Sequence, residues 1–475
     1  MPIPKKGRPK EEIFAELEQL KAKDMDWKAG RVWAYVYNPG DEVREVVEQA
    51  YLMFLTENAL DPTVFPSLLK LEVEVVRMLA DLLRGDENVV GNVTSGGTES
   101  ILLAVKAARD KARAERPEIA DPEMVLPVTA HAAFHKAAHY FRIKPVVVPV
   151  DSETYRANVE VMRKAINDNT ILLVASAPCY SHGVVDPIEE IGALAQEKGL
   201  WFHVDACVGG IYLSFLRKMG YPVPNFDFSV PGVTSLSVDM HKYGYAAKGC
   251  SVILYRNKEL RQYQIYACSE TTGYTLINPT VLSSRTGAPI AGAWAILNYL
   301  GEEGYCHIVR TVHEATRKLI EGIKSIKELK VLGQPDMCMF AFTSDTVNIF
   351  QLADEMRRRG WYIQPQLSTP YSPRSLHISV TYGTVHAVDS LLLDLREAVD
   401  VVRKMPPPDS AIVRAIVEFL TGNPYPEAIA QALALAGVKT TELPENMALI
   451  NEVLDTLPDP LVNQLLIHYV NDLYV

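Results

Sequence analysis

Residues 237–244 read Ser-Val-Asp-Met-His-Lys-Tyr-Gly, and they overlap a short apolar run, Leu236–Val238. Such a run is typical of a buried strand, which places Lys242 just beyond the carboxyl end of that strand. In open α/β sheets the ligand crevice lies outside this end of the strands. One lysine among many carries no information, but a lysine preceded by a histidine at this place is a candidate for covalent attachment to a ligand.

Other apolar runs share this length and composition. They are Val146–Val150, Ile171–Ala177, Trp201–Val204 and Val252–Tyr255. Runs this short and this apolar are typical of strands that are buried on both faces, and stretches of helical periodicity separate them. The pattern predicts an α/β domain over residues 91–304, with a large and mostly parallel sheet.

The regions on either side of this domain follow other patterns. Residues 1–90 predict a helical N-terminal segment, with helices over Val43–Leu55 and Ser67–Leu83. Residues 305–475 predict a smaller α+β C-terminal domain with a helical tail from Ser410, because three prolines at 406–408 end the preceding helix. The elements expected before the tail are a helix at Tyr305–Ile323, strands at Val331, Met339–Thr343, Trp361–Pro365 and Leu376–Val380, and helices at Val347–Arg359 and Val385–Lys404.

The composition narrows the class of protein. Of 475 residues, 48% are hydrophobic and 22% charged, as in ordinary globular proteins, and the net charge of -11 argues against a nucleic-acid-binding surface. No stretch approaches about 18 consecutive apolar residues, and the N-terminus lacks the apolar core of a secretory signal. We therefore expect a cytoplasmic protein without a transmembrane segment. Its scattered cysteines favour neither a disulfide framework nor a metal site.

A pair of glycines stands in Thr-Ser-Gly-Gly-Thr-Glu-Ser, residues 94–100, just before a stretch of helical periodicity. Backbone N–H groups at a helix N-terminus bind anions, and the hydroxyls of Ser95 and Thr98 add donors. The segment is a candidate phosphate cradle, although a Gly-Gly turn with Ser or Thr is also a common helix start. It is neither a Walker loop nor a dinucleotide fingerprint, which disfavours a nucleotide.

An acid, Asp205, ends the run Trp201–Val204 and is expected at the same crevice as Lys242. An aspartate at a strand end is often only a helix cap, but an acid there can also keep a pyridine nitrogen protonated. The cradle, the acid and the lysine together match the needs of pyridoxal 5'-phosphate: an anion nest, an acid opposite the ring nitrogen and an amine for the aldehyde. His131, otherwise an ordinary loop or helix histidine, is the candidate for the flat group on the ring.

Five segments together resemble the sphingosine-1-phosphate lyase family. They are residues 94–100, 131–134, 182–187, 203–210 and 241–249. The resemblance runs from about Gly40 through the C-terminal domain, and it implies a PLP-dependent transferase of fold type I, among the group II decarboxylase relatives. The residues that it assigns to the cofactor are Lys242 (Schiff base), Asp205 (pyridine nitrogen), His131 (stacked on the ring) and, at the phosphate, Gly97, Thr98 and His241.

The resemblance also implies an activity and an assembly. The family cleaves a phosphorylated sphingoid base by a retro-aldol reaction, which yields a long-chain aldehyde and phosphoethanolamine. The catalytic residues would then be Lys242, His131 and Asp205. Ser284–Gly287 matches a segment that approaches the cofactor of the neighbouring subunit, which implies a homodimer with shared active sites.

The departures from the family concern the substrate pocket. Asp61 stands where the family has a histidine, and Leu276 stands where it has a tyrosine, with Tyr274 two residues away. Both family positions are expected to help hold the substrate phosphate, which an anion at residue 61 would repel unless it is neutralised or turned away. The remaining candidates for substrate contacts are Lys248, which the chain retains, and Tyr35 and Tyr37, which lie where the family has an N-terminal pocket tyrosine.

Arg374 allows a second interpretation. Arginines near this place in fold type I enzymes grip a substrate carboxylate through paired hydrogen bonds, although an arginine before an edge strand is more often simply solvated. A carboxylate grip would favour a PLP-dependent L-amino-acid decarboxylase. Both activities use Lys242, so the cofactor motifs do not separate them.

Overall fold

The computed structural model describes residues 2–408, 410–422 and 447–474. Its largest element is a seven-stranded sheet in the order β1-β7-β6-β5-β4-β2-β3. The strands are β1 (Val90–Thr94), β2 (Glu123–Pro127), β3 (Lys144–Val148), β4 (Thr170–Ser176), β5 (Trp201–Asp205), β6 (Ser235–Val238) and β7 (Ser251–Tyr255).

The central strands are apolar on both faces because helices cover both. Every residue of β2, β4, β5, β6 and β7 is buried. Strands β3, β2, β4, β5 and β6 run parallel, as predicted, whereas β7 pairs antiparallel with both β6 and β1. The carboxyl ends of β4, β5 and β6 therefore meet at one edge of the sheet.

The helices before and around this sheet follow the predicted pattern closely. They are α1 (Lys10–Lys21), α2 (Asp41–Met53), α3 (Pro66–Leu82), α4 (Gly97–Glu115), α5 (Ala132–Phe141), α6 (Val159–Ala165), α7 (Ile188–Lys198), α8 (Gly209–Lys218) and α9 (Lys258–Arg261). A short hairpin of β8 (Tyr266–Cys268) and β9 (Leu276–Asn278) follows. The buried face of α4 packs with α5 and β2 in a cluster that includes Ile101, Val105 and Phe134.

Helix α10 (Ala288–Lys324) corrects one prediction, since it begins well before Tyr305. Its backbone leaves the helical region only at Gly301, with φ of 54°. The helix therefore crosses the expected domain boundary at residue 304 as a kinked rod, and its apolar stripe packs against α2, α3 and α8. The predicted helix at Tyr305–Ile323 is the second half of this rod, and the prediction missed the half that precedes Gly301.

A smaller, four-stranded antiparallel sheet follows in the order β10-β11-β13-β12. Its elements are β10 (Lys330–Val331), β11 (Met339–Thr343), α11 (Ile349–Arg358), β12 (Gln364–Gln366), β13 (Ser375–Ser379) and α12 (Val388–Val402). The strand expected at Trp361–Pro365 begins later, because Trp361 still bonds to Met356 O at the end of α11 and Tyr362 pairs with Arg31 and Val32 of the N-terminal segment.

The described part of the C-terminal tail is helical, as predicted. Its helices are α13 (Ser410–Gly422), α14 (Ala448–Thr456) and α15 (Asp459–Leu473). They form a hydrophobic cluster of their own that includes Val413, Ile450 and Leu465, while α14 also packs on α11. Among residues 2–408, 410–422 and 447–474, no helix combines the length and the apolar character that a bilayer crossing requires.

Candidate active site

A cavity of about 320 Å³ lies at the carboxyl edge of the large sheet, within the size range of small-molecule sites. We call it the lysine cleft. It brings together all six residues that the sequence assigned to the cofactor: Gly97, Thr98, His131, Asp205, His241 and Lys242. These residues come from four separate segments of the chain, so their convergence is a property of the fold.

The floor of the lysine cleft is the N-terminus of α4. The helix begins at Gly97 after Gly96, whose φ of 148° disfavours other residues. A Cβ on Gly97 would lie 2.8 Å from both carboxylate oxygens of Asp239 and 2.9 Å from Cys207 Sγ. Hydroxyl contacts of 2.7 and 2.8 Å from Ser100 to Thr94 and Ser251 fix this helix start against β1 and β7. The predicted cradle is therefore tightly packed from behind, and residues 95–99 line the cleft.

Asp205 is held by its neighbours on the sheet. Its Oδ1 accepts hydrogen bonds from Cys207 N at 3.1 Å and from Ser237 Oγ at 3.4 Å. Ser237 Oγ also lies 3.3 Å from Nε2 of the buried His203. Burial lowers the pKa of His203 to about 4, so the ring is neutral at physiological pH. The carboxylate thus has a fixed direction and no competing cation beside it.

Lys242 forms an ion pair with Asp239 inside the lysine cleft. The Nζ to Oδ2 distance is 2.8 Å, and the Asp239 side chain is only 2% exposed. Burial alone would lower the pKa of Lys242, but the carboxylate outweighs it and raises that pKa above its ordinary value. Burial would likewise raise the pKa of Asp239, yet the charges of Lys242 and His241 hold it below its ordinary value. Within the described part of the chain, the Oδ1 atom of Asp239 has no hydrogen-bond partner.

His131 and His241 both line the cleft, and they come from distant parts of the sequence. His131 precedes α5, where its Nδ1 accepts a hydrogen bond from Ala133 N at 3.2 Å. This contact fixes the ring at the mouth of the cleft, with the residue exposed. His241 Nδ1 accepts from Cys250 N at 3.2 Å, which leaves Nε2 directed toward Asp239 at 3.5 Å.

A second cavity of about 320 Å³ adjoins the lysine cleft, since Ser95 and Glu99 line both. Lys248 lines this second cavity, which we call the lysine 248 pocket. Its Nζ lies 4.6 Å from the centre of the Tyr37 ring and donates to His241 O at 3.2 Å. The residue is partly exposed, and removal from water together with the charge of Lys242 lowers the pKa of Lys248 to about 8.

The other substrate candidates lie outside both cavities. Asp61 is exposed and accepts hydrogen bonds from Thr63 N and Oγ1, at 2.8 and 2.6 Å. These bonds lower its pKa, so it stays an anion, and they turn it toward its own loop. Tyr274 is 67% exposed on the loop before β9. Tyr35, with φ of 64°, contacts Tyr362 through their hydroxyls at 3.3 Å.

Arg374 is engaged elsewhere. Its guanidinium pairs with Glu452 at 2.8 Å and approaches Asp455 at 3.7 Å, both on α14. It also lies over the ring of Phe350. The arginine therefore fastens α14 to the smaller sheet domain and is not a lining residue of the lysine cleft.

Sequence reasoning missed Asp239 and Tyr180, which line the cleft, and Ser237, which bonds to Asp205. Asp239 stood in the quoted segment, and its place three residues before Lys242 was a usable signal. Ser237 and Tyr180 gave no signal, because a serine in a buried strand and a tyrosine in a loop are both common. Tyr180 lines the cleft, and its hydroxyl donates to Gln364 Oε1 at 2.6 Å.

The residues of the cleft fit pyridoxal phosphate. A Cβ on Gly97 would fill the floor of the cradle, Lys242 offers an amine, and Asp205 offers a carboxylate at the end of β5. Asp239 adds a buried, half-satisfied carboxylate that faces the amine. We therefore name Lys242 as the residue that would carry the cofactor, with Gly97, Thr98 and His241 at its phosphate.

Comparisons with known proteins agree with this fit. The pyridoxal-dependent decarboxylase conserved domain matches residues 3–344, and a C-terminal putative HTH domain of pyridoxal-dependent enzymes matches residues 407–472. The chain is 46% identical to the sphingosine-1-phosphate lyase of Arabidopsis thaliana over 405 residues, which cover 84% of this chain and 73% of the plant protein. It is 40% identical to that of Saccharomyces cerevisiae, over 84% of this chain and 67% of the yeast protein.

Solved structures give the same picture. The sphingosine-1-phosphate lyase of Burkholderia pseudomallei superimposes with a TM-score of 0.81 at 37% identity, over 89% of this chain and 96% of the bacterial one. A glutamate decarboxylase of Lactobacillus brevis superimposes with a TM-score of 0.75 at 20% identity, over 86% and 96% of the two chains, which establishes a common fold.

Proposed function

Since the chain belongs to the pyridoxal-dependent decarboxylase family, and within it to the sphingosine-1-phosphate lyases, we propose that it cleaves a phosphorylated sphingoid base. The bond that breaks joins the amine-bearing carbon to the neighbouring hydroxyl-bearing carbon. The products are a long-chain aldehyde and phosphoethanolamine. The enzyme is a PLP-dependent lyase, and the family's cofactor is pyridoxal phosphate.

The chain's own residues hold the reacting groups. Pyridoxal phosphate supplies the electron sink for the pair that the broken bond releases. Asp205 would keep the proton on the pyridine nitrogen of the bound cofactor, and the Ser237 hydroxyl, itself in contact with His203, orients the Asp205 carboxylate. His131 would cover one face of the cofactor ring and exclude water from it.

Lys242 is placed to move a proton. Whenever its ε-amine is not bound to the cofactor, it would lie beside Asp239, as it does in this structure. The carboxylate stabilises the protonated form, so Lys242 is equipped to deliver a proton to the amine-bearing carbon after the aldehyde leaves. The hydroxyl proton of the substrate is lost to a basic group of the cleft as the carbon–carbon bond breaks.

The lysine 248 pocket is the observation that carries this function. A lyase of this class must hold a second phosphate, that of the substrate, beside the cofactor. Lys248 supplies a cation there, and Ser95, Ser284 and Thr286 add hydroxyl groups. Arg285 lines the same pocket but pairs with Glu72 at 2.7 Å, so Lys248 is the cation that remains for a phosphate.

The test is a comparison of two substrates with two readouts. Holoenzyme is incubated with a sphingoid base and its phosphorylated form, and aldehyde and carbon dioxide are assayed separately. We expect aldehyde from the phosphorylated base only, and Lys248→Met should raise its KM with little effect on kcat. Carbon dioxide from amino acids without any long-chain aldehyde would overturn the proposal.

The alternative of amino-acid decarboxylation rested on Arg374. That arginine is paired with Glu452 and Asp455, away from the lysine cleft. Arg374 therefore no longer supports a carboxylate-bearing substrate. The decarboxylases are relatives of this chain only at the level of the wider family.

We also infer a homodimer that works in the cytoplasm. An exposed apolar patch supports the dimer, because exposed apolar patches mark interaction sites. Its residues are Leu52, Met53, Leu55, Val64, Ile277, Val281 and Leu282. The segments that carry these residues also contact Ser284–Gly287: Asn58 Nδ2 donates to Ser284 Oγ, and Thr286 Oγ1 donates to Leu55 O. Light scattering of the purified holoenzyme should give twice the mass of one chain. Val281→Glu should lower the measured mass toward that of a single chain.

A further inference from the structure

A third cavity, of about 390 Å³, lies between the smaller sheet domain and the C-terminal helices. We call it the C-terminal cavity. Its apolar walls come from α11, from the segment before β12, and from α14 and α15. The residues that form them include Ala353, Trp361, Ile363, Ile450, Leu454 and Leu465. No cofactor contact proposed above involves this cavity.

The C-terminal cavity shares a wall with the lysine cleft. Tyr180 lines the cleft, and its hydroxyl donates to Gln364, which lines the C-terminal cavity. Beside them, Tyr35 and Tyr362 line the cavity and touch through their hydroxyls. One layer of side chains therefore separates the two spaces, and part of that layer, at Tyr35, is exposed.

The two spaces differ in polarity. Hydroxyl, imidazole, carboxylate and amine groups line the lysine cleft, where an aliphatic chain would leave them without partners. The walls of the C-terminal cavity are chiefly aliphatic and aromatic carbon. One of its charged residues, Asp354, is already occupied, because its carboxylate accepts from Met447 N and Ala448 N at the start of α14. The C-terminal cavity therefore accommodates a long apolar chain better than the lysine cleft does.

One polar atom in the cavity wall lacks a partner among residues 2–408, 410–422 and 447–474. Asn451 is 7% exposed and lines the cavity, yet its Nδ2 forms no hydrogen bond with any of these residues. Buried amides without a partner are rare and destabilising, and a ligand with an acceptor oxygen would satisfy this one. The wall thus favours an aliphatic ligand that carries an oxygen.

We propose that the C-terminal cavity binds the aliphatic chain of the substrate, and that an oxygen on this chain accepts a hydrogen bond from Asn451. The inference rests on the proposed function, since it takes the reacting end of the same molecule to lie in the lysine cleft. It deepens that function by naming where the substrate chain binds and which chain the site favours: an aliphatic chain that carries an oxygen. The C-terminal helices are then part of the binding site.

The first test fills the cavity. Leu454→Trp places a larger ring in the wall, whereas Ile467→Trp places the same ring on α15 at a position that is 69% exposed and is not a wall residue. We expect Leu454→Trp to raise KM for a long-chain phosphorylated base at least about tenfold, since displacing about two methylenes costs that much. KM for a short-chain base and kcat for both should not change, and Ile467→Trp should resemble wild type. An unchanged ratio of the two KM values would overturn the proposal.

The second test addresses the chain oxygen. Asn451→Leu keeps the volume and removes the donor. It should raise KM for a base with a hydroxylated chain and lower KM for the same base without that hydroxyl. Equal effects on both substrates would contradict the hydrogen bond from Asn451.

A binding readout separates this inference from the proposed function. A phosphorylated base with a brominated chain should quench the fluorescence of Trp361 in the holoenzyme, and Trp361→Phe should remove most of that quenching. Quenching without aldehyde from any phosphorylated base would contradict the proposed function and leave the cavity assignment standing. Aldehyde release without quenching would overturn the cavity assignment alone.

Discussion

The lysine cleft and the C-terminal cavity are similar in size but opposite in construction. The cleft is polar and lies where parallel strands end, so the sheet register alone brings Ser176, Asp205 and Ser237 side by side. The C-terminal cavity is apolar, and its walls join Tyr35 to residues more than four hundred positions away in the sequence. The sheet itself therefore fixes the residues of the cleft, whereas the walls of the cavity depend on how the C-terminal helices pack against the rest of the protein. Substitutions that act on one should leave the other unaffected.

The largest effect is expected from removing the amine of the cleft. Lys242→Ala should abolish the visible absorbance band of bound cofactor and reduce aldehyde release by at least about a thousandfold. Quenching of Trp361 by the brominated base should persist, because the C-terminal cavity is untouched. Loss of that quenching would show that the two spaces are not independent.

The second largest effect is expected from removing the carboxylate of Asp205. Asp205→Asn removes the carboxylate that keeps the pyridine nitrogen protonated, and we expect kcat to fall by about 10²–10³-fold. Ser237→Ala is the matched control: it deletes only the contacts that orient Asp205, so its loss of kcat should be smaller. A larger loss in the serine variant would contradict the role of the acid.

Substitution of Asp239 tests whether its ion pair with Lys242 affects cofactor binding in the absence of substrate. The carboxylate raises the pKa of Lys242, and only the neutral amine attacks an aldehyde. Asp239→Asn should therefore lower that pKa and speed cofactor capture by apo-protein at neutral pH by about tenfold or more. The rate of cofactor binding is measured by absorbance at several pH values. In the Asn variant, this rate should rise at a lower pH than in the wild type. Asp239→Glu should restore much of the wild-type profile, and an unshifted Asn profile would refute the coupling.

Lys248 gives a smaller, pH-dependent effect. Its pKa of about 8 means that the ammonium is present below that pH and is lost above it. KM for the phosphorylated substrate should therefore rise severalfold as pH passes 8. Lys248→Arg keeps the charge and should flatten this rise. A rate that instead increases above pH 8, and disappears in the arginine variant, would identify Lys248 as the base.

Arg374 should have the smallest effect. Its side chain is 39% exposed, so its pair with Glu452 is screened, and Arg374→Ala should cost less than about 1 kcal/mol in denaturant unfolding. Steady-state kinetics at the cleft should be unchanged. A loss of activity of a hundredfold or more would return the arginine to the active site.

The sequence predicted the large sheet, most helices and the convergence of the cofactor residues. These succeeded because each depends on a local pattern: an apolar run with a polar end, or a glycine pair before a helix. The half of α10 that precedes Gly301 was not predicted, although the backbone does leave the helical region at that glycine. The surroundings of Arg374 and the walls of the C-terminal cavity could not be predicted, since docking of distant helices leaves no periodic signal.

The reversed strand β7 has a consequence for the order in which the protein matures. Strand β1 joins the sheet only through β7, and the start of α4 is tied to β7 by Ser100 and Ser251, which are 151 residues apart along the chain. Such a distant contact forms late, and a chain growing from the ribosome cannot make it until β7 has emerged. We therefore expect a nascent chain that stops before Ser251 to lack a competent anion cradle. Acquisition of the cofactor would then mark completion of the large domain.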